Sequence, residues 1–364
     1  MDKPRILFVV PLPPPVHGSS AVCQVIRKSM HVRQSFQCDF VNLSTSRRME
    51  EIGNRSWWKV FRFIGAYGQV FIRLLFHHYD ACYLAITCYG LGFLKDVPFV
   101  ALCKLFGKKV ILHQHNKGMS RYVFRWPYRW LLPWVYCGTK VMLLSERLYP
   151  DVSKVVRQEQ IYICPNGIPL ISQISAFSES DIPHMLFLSN LIPSKGVYIL
   201  LDVCRLLKNR EMRFVCDVVG GETKYINRFL FEQEIRLRNL EDVVFYHGPR
   251  YGAEKERFLN QADIFIQPTF EDCFPLSILE AMQHGLPVVS TDEGAIPDMV
   301  IDGETGFVCK RKNVESFANA LEKILNNKDL RKQMGLKGCL RYKERYTLEV
   351  FEKNFCGILS DILK

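Results

Sequence analysis

Short apolar runs alternate with longer amphipathic stretches along the whole chain. This alternation predicts strands separated by helices, which is typical of a parallel sheet covered by helices on both faces. The predicted strands of the first half are residues 5–10, 81–86, 109–115, 140–145 and 161–166, and the predicted helices are residues 19–30, 57–79, 95–106 and 121–136. The predicted strands of the second half are residues 185–190, 213–220, 243–248, 262–268 and 286–291.

A polar segment, residues 169–184, interrupts this rhythm before the second series of strands begins. We therefore predict an α/β protein of two doubly wound, Rossmann-like domains, residues 1–170 and 171–345, with the ligand site in the cleft between them. The 364 residues of the chain are enough for two such cores. The amphipathic residues 346–364 predict a last helix whose pattern fits several places, and packing back on the first domain is one of them.

Positive charge is concentrated in the first half of the chain. Residues 1–175 contain 23 Lys and Arg against 9 Asp and Glu, whereas residues 176–364 contain 25 against 28. Such asymmetry indicates an anionic partner for the first half, either a membrane surface, a nucleic acid or a phosphorylated substrate. Because no nucleic-acid recognition motif accompanies the charge, we expect no nucleic-acid partner.

The sequence also predicts where the protein acts. No run of eighteen apolar residues lacks charges, and the apolar start of the chain ends at a proline cluster without a small-residue cleavage site. We therefore expect neither a membrane-spanning helix nor a signal peptide. The 13 cysteines contain no C-x-x-C pair, and we interpret them as reduced thiols of a cytoplasmic protein.

The segment EDCFPLSILEAMQH, residues 271–284, combines acids with a predicted helix start. It follows a predicted strand, so its acids lie at the carboxyl end of that strand and beside the free N–H groups of a helix that begins near Leu276. An acid pair at this place can bind sugar hydroxyls while the amides hold a phosphate. The alternative is structural, with Asp272 capping the helix and Glu280 solvated.

The longer segment EDCFPLSILEAMQHGLPVVSTDEGAIPDMVIDGETGFVC resembles the nucleotide-sugar segment of retaining glycosyltransferases of family four, which have the GT-B fold of two facing Rossmann-like domains. Two glutamates separated by seven residues mark that family, and Asp272 and Glu280 take their places here. The similarity continues, in the family's order, through PPPVHGSS, VILHQHN, CPNGI, LSNLIPSKGV and DVVGGE. The CFPL and GAIPD details resemble members from bacterial capsule, lipopolysaccharide and exopolysaccharide clusters.

The resemblance implies that the first domain is the acceptor side and that the second binds the nucleotide sugar. It also implies a role for each matching residue, with His115, Asp272 and Glu280 as the catalytic ones. Asp272 would meet the hydroxyls of the donor sugar, Glu280 would bind the ribose, and His115 would lie near the reacting carbon. The residues it implies in donor binding are Gly18, Ser19, Asn190, Lys195, Gly221, Glu222, Arg250, Phe274, Leu276 and Ser277. Structural alternatives remain open, such as a solvated lysine, a glycine turn or a core histidine.

Two residues depart from the family pattern. Asn190 stands where the phosphate loop usually has Arg, and Asp272 is one methylene shorter than Glu. Because the missing guanidinium removes a bidentate phosphate contact, Lys195 and helix amides would have to carry the diphosphate. No Asp-x-Asp and no His/Cys cluster with metal spacing occurs, so we expect no metal and no other cofactor.

Two further features bear on the first half. His113 and His115 alternate near a strand end, and we expect them to point in opposite directions, with His115 toward the cleft. Residues 57–76 and 120–136 mix basic residues with many aromatics, a composition that suits a lipid interface. Packing of these aromatics against the sheet is the alternative.

Together these features predict a cytoplasmic enzyme, peripheral on the inner face of the membrane. It would transfer a sugar with retention from a nucleotide-diphosphate-sugar donor to a lipid-linked or oligosaccharide acceptor in bacterial surface polysaccharide biosynthesis. The alternative is a catalytically silent relative that serves as a binding subunit of a polysaccharide assembly complex. A hydrolase is disfavoured, because it would have no use for phosphate-binding elements.

Overall fold

A computed structural model of the protein describes residues 3–15, 18–44, 57–171 and 182–364. Two residues of the PPPVHGSS motif and most of the polar segment at 169–184 lie outside these ranges. The chain divides into two compact units, one made of Met1–Asn166 and Glu349–Lys364 and the other of Gly167–Leu348. A six-stranded sheet forms the centre of each unit.

The first unit alternates strands and helices from its start. In chain order its elements are β1 (Arg5–Val10), α1 (Gly18–Lys28), α2 (Met30–Ser35), β2 (Gln37–Asn42), α3 (Trp57–Phe76), β3 (Ala81–Ile86), α4 (Gly90–Leu105), β4 (Lys109–Gln114), α5 (Tyr128–Tyr136), β5 (Lys140–Leu143), α6 (Tyr149–Val152) and β6 (Ile161–Ile163). The strand order is β2-β1-β3-β4-β5-β6, and all neighbours are parallel. Strand order therefore reverses at β1, whose carboxyl end is the place where such sheets bind ligands.

The second unit repeats this plan. Its elements are β7 (His184–Leu188), α7 (Val197–Asn209), β8 (Val215–Val219), α8 (Arg228–Arg236), β9 (Val244–Gly248), α9 (Ala253–Gln261), β10 (Ile264–Ile266), α10 (Leu276–Gln283), β11 (Val288–Thr291), α11 (Ile296–Met299), β12 (Gly306–Cys309), α12 (Val314–Leu325) and α13 (Lys328–Arg345). The parallel order is β12-β11-β10-β7-β8-β9. Here the order reverses at β7, between β8 and β10.

The last helix, α14 (Leu348–Leu363), is grouped with the first unit. Its Phe355 packs edge-on against Tyr83 of β3 with ring centroids 5.4 Å apart, and its Glu352 pairs with His31 at 3.0 Å. At the other end of the helix, Lys109 Nζ donates to the carbonyl of Leu363 at 3.1 Å. A cation at a helix C-terminus satisfies orphan carbonyls and complements the helix dipole, so Lys109 fixes this end of α14 on the unit.

Within the residues that the structure describes, no helix combines the length and the hydropathy needed to cross a bilayer.

Candidate functional site

A lysine and an aspartate meet at the carboxyl edge of the second sheet. Lys195 follows β7, Asp272 follows the neighbouring β10, and Lys195 Nζ donates to Asp272 Oδ2 in an ion pair. The two side chains are only 24% and 11% exposed. The structure therefore brings together two of the residues that the sequence analysis selected, at the point where the strand order reverses.

Asp272 does not cap the helix that follows it. Its Oδ1 accepts a hydrogen bond from the N–H of Cys273 at 2.8 Å, and Pro275 occupies the N-cap of α10, where it makes no side-chain capping bond. The structural interpretation of Asp272 as a helix cap is therefore wrong. The first amides of α10, from Leu276 onward, lie just beyond the loop that carries the carboxylate.

Glycines allow the loops at this edge to touch. Gly196 has φ +85°, and a Cβ there would lie 2.0 Å from the carbonyl oxygen of Pro268. Gly294 has φ +54°, and its Cβ would lie 2.4 Å from the carbonyl oxygen of Asp272. Positive φ and this close approach both require glycine, so these two residues set the distance at which Lys195 and Asp272 meet.

A buried glutamate, missed by the sequence analysis, supports the same loop. Glu293 follows β11 and is 1% exposed. Its Oε1 accepts from the backbone N–H of Asp272 at 3.3 Å, and its Oε2 accepts from Arg311 Nη1 at 2.6 Å. Arg311, which follows β12, thus stabilises the buried charge that positions Asp272. Two features of the sequence could have indicated this pair: Glu293 comes directly before the glycine of GAIPD, and Arg311 lies in a basic run after the next strand.

Glu280 has a cationic partner of its own. It lies in the second turn of α10, and its Oε1 accepts from Lys255 Nζ of α9 at 2.7 Å, with both side chains 24% exposed. The interpretation of Glu280 as a solvated acid is therefore wrong. Asp272 and Glu280 bind different lysines, and the sequence analysis did not select Lys255.

Three predicted donor-binding residues hold the loop after β8. Asn190 Oδ1 accepts from the N–H of Gly221 at 2.9 Å, and the N–H of Leu191 donates to the carbonyl of Gly221 at 2.9 Å. Glu222 Oε2 accepts from the N–H of Arg228, at the start of α8, at 2.9 Å. Asn190 lies in the same loop after β7 as Lys195, and Gly221 and Glu222 follow the neighbouring β8 at the same sheet edge.

The remaining donor-binding candidates have different surroundings. Arg250 lies near the surface and pairs with Glu254 at 3.3 Å. Phe274 is buried and packs edge-on against Tyr346, with ring centroids 6.0 Å apart. Ser277 Oγ donates to Gln267 Oε1 at 2.8 Å. Phe274 therefore anchors the loop in the core, whereas Arg250 is far less constrained.

A cavity of about 420 Å³ opens at the carboxyl edge of the first sheet. It brings together the predicted Gly18, Ser19 and His115 with Lys95 and Asp96, which the sequence analysis did not select. Gly18 and Ser19 are the first residues of α1, so helix amides border the cavity. The lining residues come from α1, from the carboxyl ends of β1, β2, β3 and β4 and the loops after them, and from α4.

The two histidines lie on the same side of β4, with ring centroids 4.2 Å apart. The expectation that they point in opposite directions was wrong, because residues two positions apart in a strand share a face. His113 is fully buried, with its Nδ1 2.6 Å from the hydroxyl of Tyr83. Burial lowers the pKa of His113 well below its ordinary value, so this histidine is neutral and structural, whereas His115 lines the cavity.

The loop after His115 is fixed by a single carboxylate. Asp151 accepts hydrogen bonds from the backbone N–H groups of Gly118, Met119 and Ser120 at 2.7, 3.0 and 3.1 Å.

In the described ranges of the chain, no group of three or more His, Cys, Asp or Glu side chains is arranged to hold a metal ion.

Comparison with known proteins places these features in context. Residues 172–339 match the family model described as "Glycosyl transferases group 1". The D-inositol 3-phosphate glycosyltransferase of Arthrobacter sp. (strain FB24) is 27% identical over 187 residues, which cover 49% of this chain and 44% of that protein. The capsular polysaccharide biosynthesis glycosyltransferase CapM of Staphylococcus aureus is 22% identical over 246 residues, 63% of each chain. The chain spans about half the length of the curated relatives it matches first.

Solved structures show the same fold over nearly the whole chain. Alr3699/HepE of Anabaena, in complex with UDP, superposes with a TM-score of 0.75 at 16% identity and covers 98% of this chain and 100% of its own. At this identity the similarity establishes the fold alone. It confirms the predicted α/β class with two doubly wound domains.

Proposed function

From the GT-B fold of the chain and the match of residues 172–339 to the model of the group 1 glycosyl transferases, we propose that the protein transfers a sugar, with retention, from a nucleotide-diphosphate-sugar donor to a lipid-linked or oligosaccharide acceptor. The similarity to CapM, a capsular polysaccharide biosynthesis glycosyltransferase, supports bacterial surface polysaccharide as the product.

The pair of Lys195 and Asp272 is the observation that carries this proposal. The cation suits a diphosphate, and the carboxylate suits the hydroxyls of a sugar attached to it. The two residues follow the neighbouring strands β7 and β10, at the point where the strand order reverses, and they lie beside the N-terminal amides of α10. Doubly wound sheets bind nucleotides at this point. The fold match to a protein in complex with UDP supports a nucleotide ligand.

Each residue then has a role in the transfer. Negative charge grows on the leaving nucleoside diphosphate as its bond to the sugar breaks, and Lys195 with the amides of α10 would stabilise that charge. Asp272 would orient the sugar through its hydroxyls. Glu280, held by Lys255, would accept hydrogen bonds from the ribose. On this proposal Arg311 and Glu293 act indirectly, by fixing the backbone of Asp272.

Thermal shift of the purified protein with UDP, GDP and CDP, and with their sugars, tests the donor proposal. Selective binding to the folded state raises the melting temperature, and we expect one base to dominate. Glu280→Ala should abolish the shift, whereas Glu344→Ala, an exposed glutamate of α13, should leave it unchanged. EDTA should have no effect, since the diphosphate would be held without a metal. Flat curves with every nucleotide would favour the silent binding subunit.

We also propose that the first unit docks on the anionic inner face of a membrane. Helix α3 packs Phe63 and Tyr67 against Phe99 of α4, so core packing explains part of its aromatic content. Other aromatics lie in solvent: Trp57, Trp58 and Phe61 of α3 are 82%, 74% and 65% exposed, and Trp126, just before α5, and Trp130, in α5, are 79% and 66% exposed. Arg129 lies over Trp130, 5.0 Å from the ring centroid, and such aromatic and cationic mixtures suit a headgroup layer.

Vesicle flotation tests the docking proposal. The protein should float with vesicles containing phosphatidylglycerol at low salt and should bind less to pure phosphatidylcholine. Replacing Trp57 and Trp58 together by Ser should reduce flotation. Phe229→Ser, which removes a 66% exposed aromatic from α8 of the second unit, is the control. A protein that stays at the bottom with anionic vesicles would refute the docking proposal and leave donor binding untouched.

A further inference from the structure

Lys255 lies where helix electrostatics disfavour a cation. It is the third residue of α9, whose first turn also contains Glu254 and Glu256. The N-terminus of a helix carries partial positive charge, so acids stabilise the first turn and a lysine destabilises it. The side chain is about three-quarters buried beside Glu280 rather than extended into solvent. The stability of α9 therefore does not explain this lysine.

The ion pair between Lys255 and Glu280 leaves polar groups of both side chains unused. Glu280 Oε1 accepts from Lys255 Nζ at 2.7 Å, whereas Glu280 Oε2 accepts no hydrogen bond from the residues that the structure describes. Lys255 Nζ has three protons, and within the described part of the chain Glu280 is its one hydrogen-bond acceptor. An acceptor oxygen and a donor ammonium therefore remain side by side for a ligand, on side chains that are each 24% exposed.

Two further side chains fix this pair. Glu256 Oε1 lies 3.8 Å from Lys255 Nζ, and Glu256 Oε2 lies 2.9 Å from Nε2 of the buried His284. His284 Nδ1 in turn donates to the backbone carbonyl of Glu280 at 2.7 Å. These contacts form a closed ring between α9 and the C-terminal end of α10. They orient the ammonium before a ligand binds, which lowers the cost of binding.

Both helices begin at the sheet edge that carries the proposed donor site. α9 and α10 follow the carboxyl ends of β9 and β10, and Lys255 and Glu280 lie in their first and second turns. A vicinal diol has two neighbouring hydroxyl groups, and each of them can donate and accept. An acceptor beside a donor matches such a diol, whereas a ring with only one of the hydroxyl groups can engage just one partner.

We propose that Lys255 and Glu280 together bind the cis-diol of the donor's ribose, with Glu280 Oε2 accepting from one hydroxyl group and Lys255 Nζ donating to the oxygen of the other. This inference rests on the proposed function, because the ribose belongs to the nucleotide of the same donor. Lys255 is then a specificity-determining residue, since it selects a ribonucleotide that has both hydroxyl groups.

Isothermal titration calorimetry with UDP, GDP and CDP, and with their 2′-deoxy and 3′-deoxy analogues, tests the inference. The wild type should bind the preferred ribonucleotide about tenfold or more tightly than either analogue, because each analogue lacks one hydrogen bond to a charged group. Lys255→Met should become insensitive to the absence of one hydroxyl group and stay sensitive to the absence of the other. Glu280→Gln should show the reverse pattern, since its amide turns a donor toward the ribose while its oxygen remains for Lys255.

Two further variants make the test specific. Lys208→Met removes a lysine from another ion pair of the same unit and should stay sensitive to both hydroxyl groups. Lys255→Gln decides the question if Lys255→Met fails to fold, and it should reduce the sensitivity to the same hydroxyl group. If the Lys255 variants lose both sensitivities together, the lysine only orients Glu280; if they keep both, its role is structural. Either result would overturn the inference.

The same titrations separate this inference from the donor proposal. Nucleotide binding by the wild type without discrimination against the deoxy analogues would overturn the ribose contact of Lys255 and leave the donor site standing. No binding of any of the three nucleoside diphosphates would refute the donor proposal and the ribose contact with it.

Discussion

Replacing Lys195 by Met tests whether the pair of Lys195 and Asp272 binds the donor or has a purely structural role. The side chains are about three-quarters and nine-tenths buried, so the ammonium lies in a site where solvent screens charge only partly. A hydrogen bond to a charged group contributes about 1.5–3 kcal/mol. If Lys195 holds the diphosphate, nucleoside diphosphate affinity should fall about 10- to 150-fold.

Asp272→Asn should not lower the affinity for the free nucleotide, in contrast to Lys195→Met. In the unliganded protein Asp272 accepts from Lys195 and so competes with the diphosphate for the same cation. Removing its charge frees Lys195 and reduces repulsion of the phosphates, so the nucleoside diphosphate should bind at least as tightly as to the wild type. The corresponding nucleotide sugar should lose affinity relative to the nucleotide alone, because Asp272 would no longer accept from its hydroxyls as a carboxylate.

Isothermal titration calorimetry with the stabilising nucleotide and its sugar measures both effects. Lys208→Met is the control, since Lys208 forms a more exposed ion pair with Asp242 of the same unit, 2.5 Å apart, and its loss should not affect binding. The reasoning is refuted if Lys195→Met keeps wild-type affinity in a folded protein. It is also refuted if Asp272→Asn weakens the free nucleotide as strongly as Lys195→Met does.

Three further predictions follow from individual contacts. Gly196→Ala combines a strained φ of +85° with a Cβ 2.0 Å from a backbone oxygen, so it should cost about 3 kcal/mol and lower the melting temperature of the second unit by about 6–12 °C in calorimetry. Asn190→Arg should tighten nucleotide binding about tenfold in thermal-shift titrations, because it restores a guanidinium for the diphosphate. His184→Gln should lower the melting temperature more at about pH 5.5 than at about pH 9. The hydrogen bond to Asp217 raises the pKa of His184, so its contribution is full below about 6.5 and is lost as pH rises through the folded value.

Each of these predictions has a control in the same chain. Gly303→Ala has a similar φ of +75° but open space at the Cβ position, so a loss as large as that of Gly196→Ala would show that the contact is irrelevant. Asn190→Ala removes the bond to Gly221 without adding a cation and should not improve nucleotide affinity. His78→Gln changes an exposed histidine, and its effect should be the same at both pH values. An equal effect of His184→Gln at both pH values would contradict the assigned role of Asp217.

The sequence predicts the sheets well where their strands are buried on both faces. β1 and β3 are interior strands of their sheet and are buried along nearly their whole length, so their apolar runs are unmistakable. The edge strands β2 and β12 were missed. β2 is only partly buried, and β12 has just four residues and begins at Gly306, so neither shows a continuous apolar run.

Helix boundaries were less accurate where proline intervenes. The predicted helix at 121–136 begins in the structure only at Tyr128, with Pro127 as its N-cap residue. A residue before proline is disfavoured in the helical region, which ends helical geometry upstream of it. The aromatic periodicity of residues 121–126 suggested a helix that the backbone does not form.

The candidate site was only partly visible in the sequence. Lys195 and Asp272 were selected together, but their ion pair depends on the order of β7 and β10 in the sheet, which periodicity does not specify. Lys255, Glu293 and Arg311 come from other elements, and their contacts exist only in the folded chain. Asp96 was overlooked because a single acid in an apolar helix has no local signature, and only its burial beside the cavity distinguishes it.

Hydrogen exchange measured by mass spectrometry, with and without the nucleoside diphosphate of the predicted donor, tests the central claim most directly. We predict that the nucleotide protects peptides spanning residues 189–196 and 268–280, and that Lys195→Met abolishes this protection at the same nucleotide concentration. Protection confined to other parts of the second unit, or none with UDP, GDP or CDP, would contradict the claim that this sheet edge holds the donor.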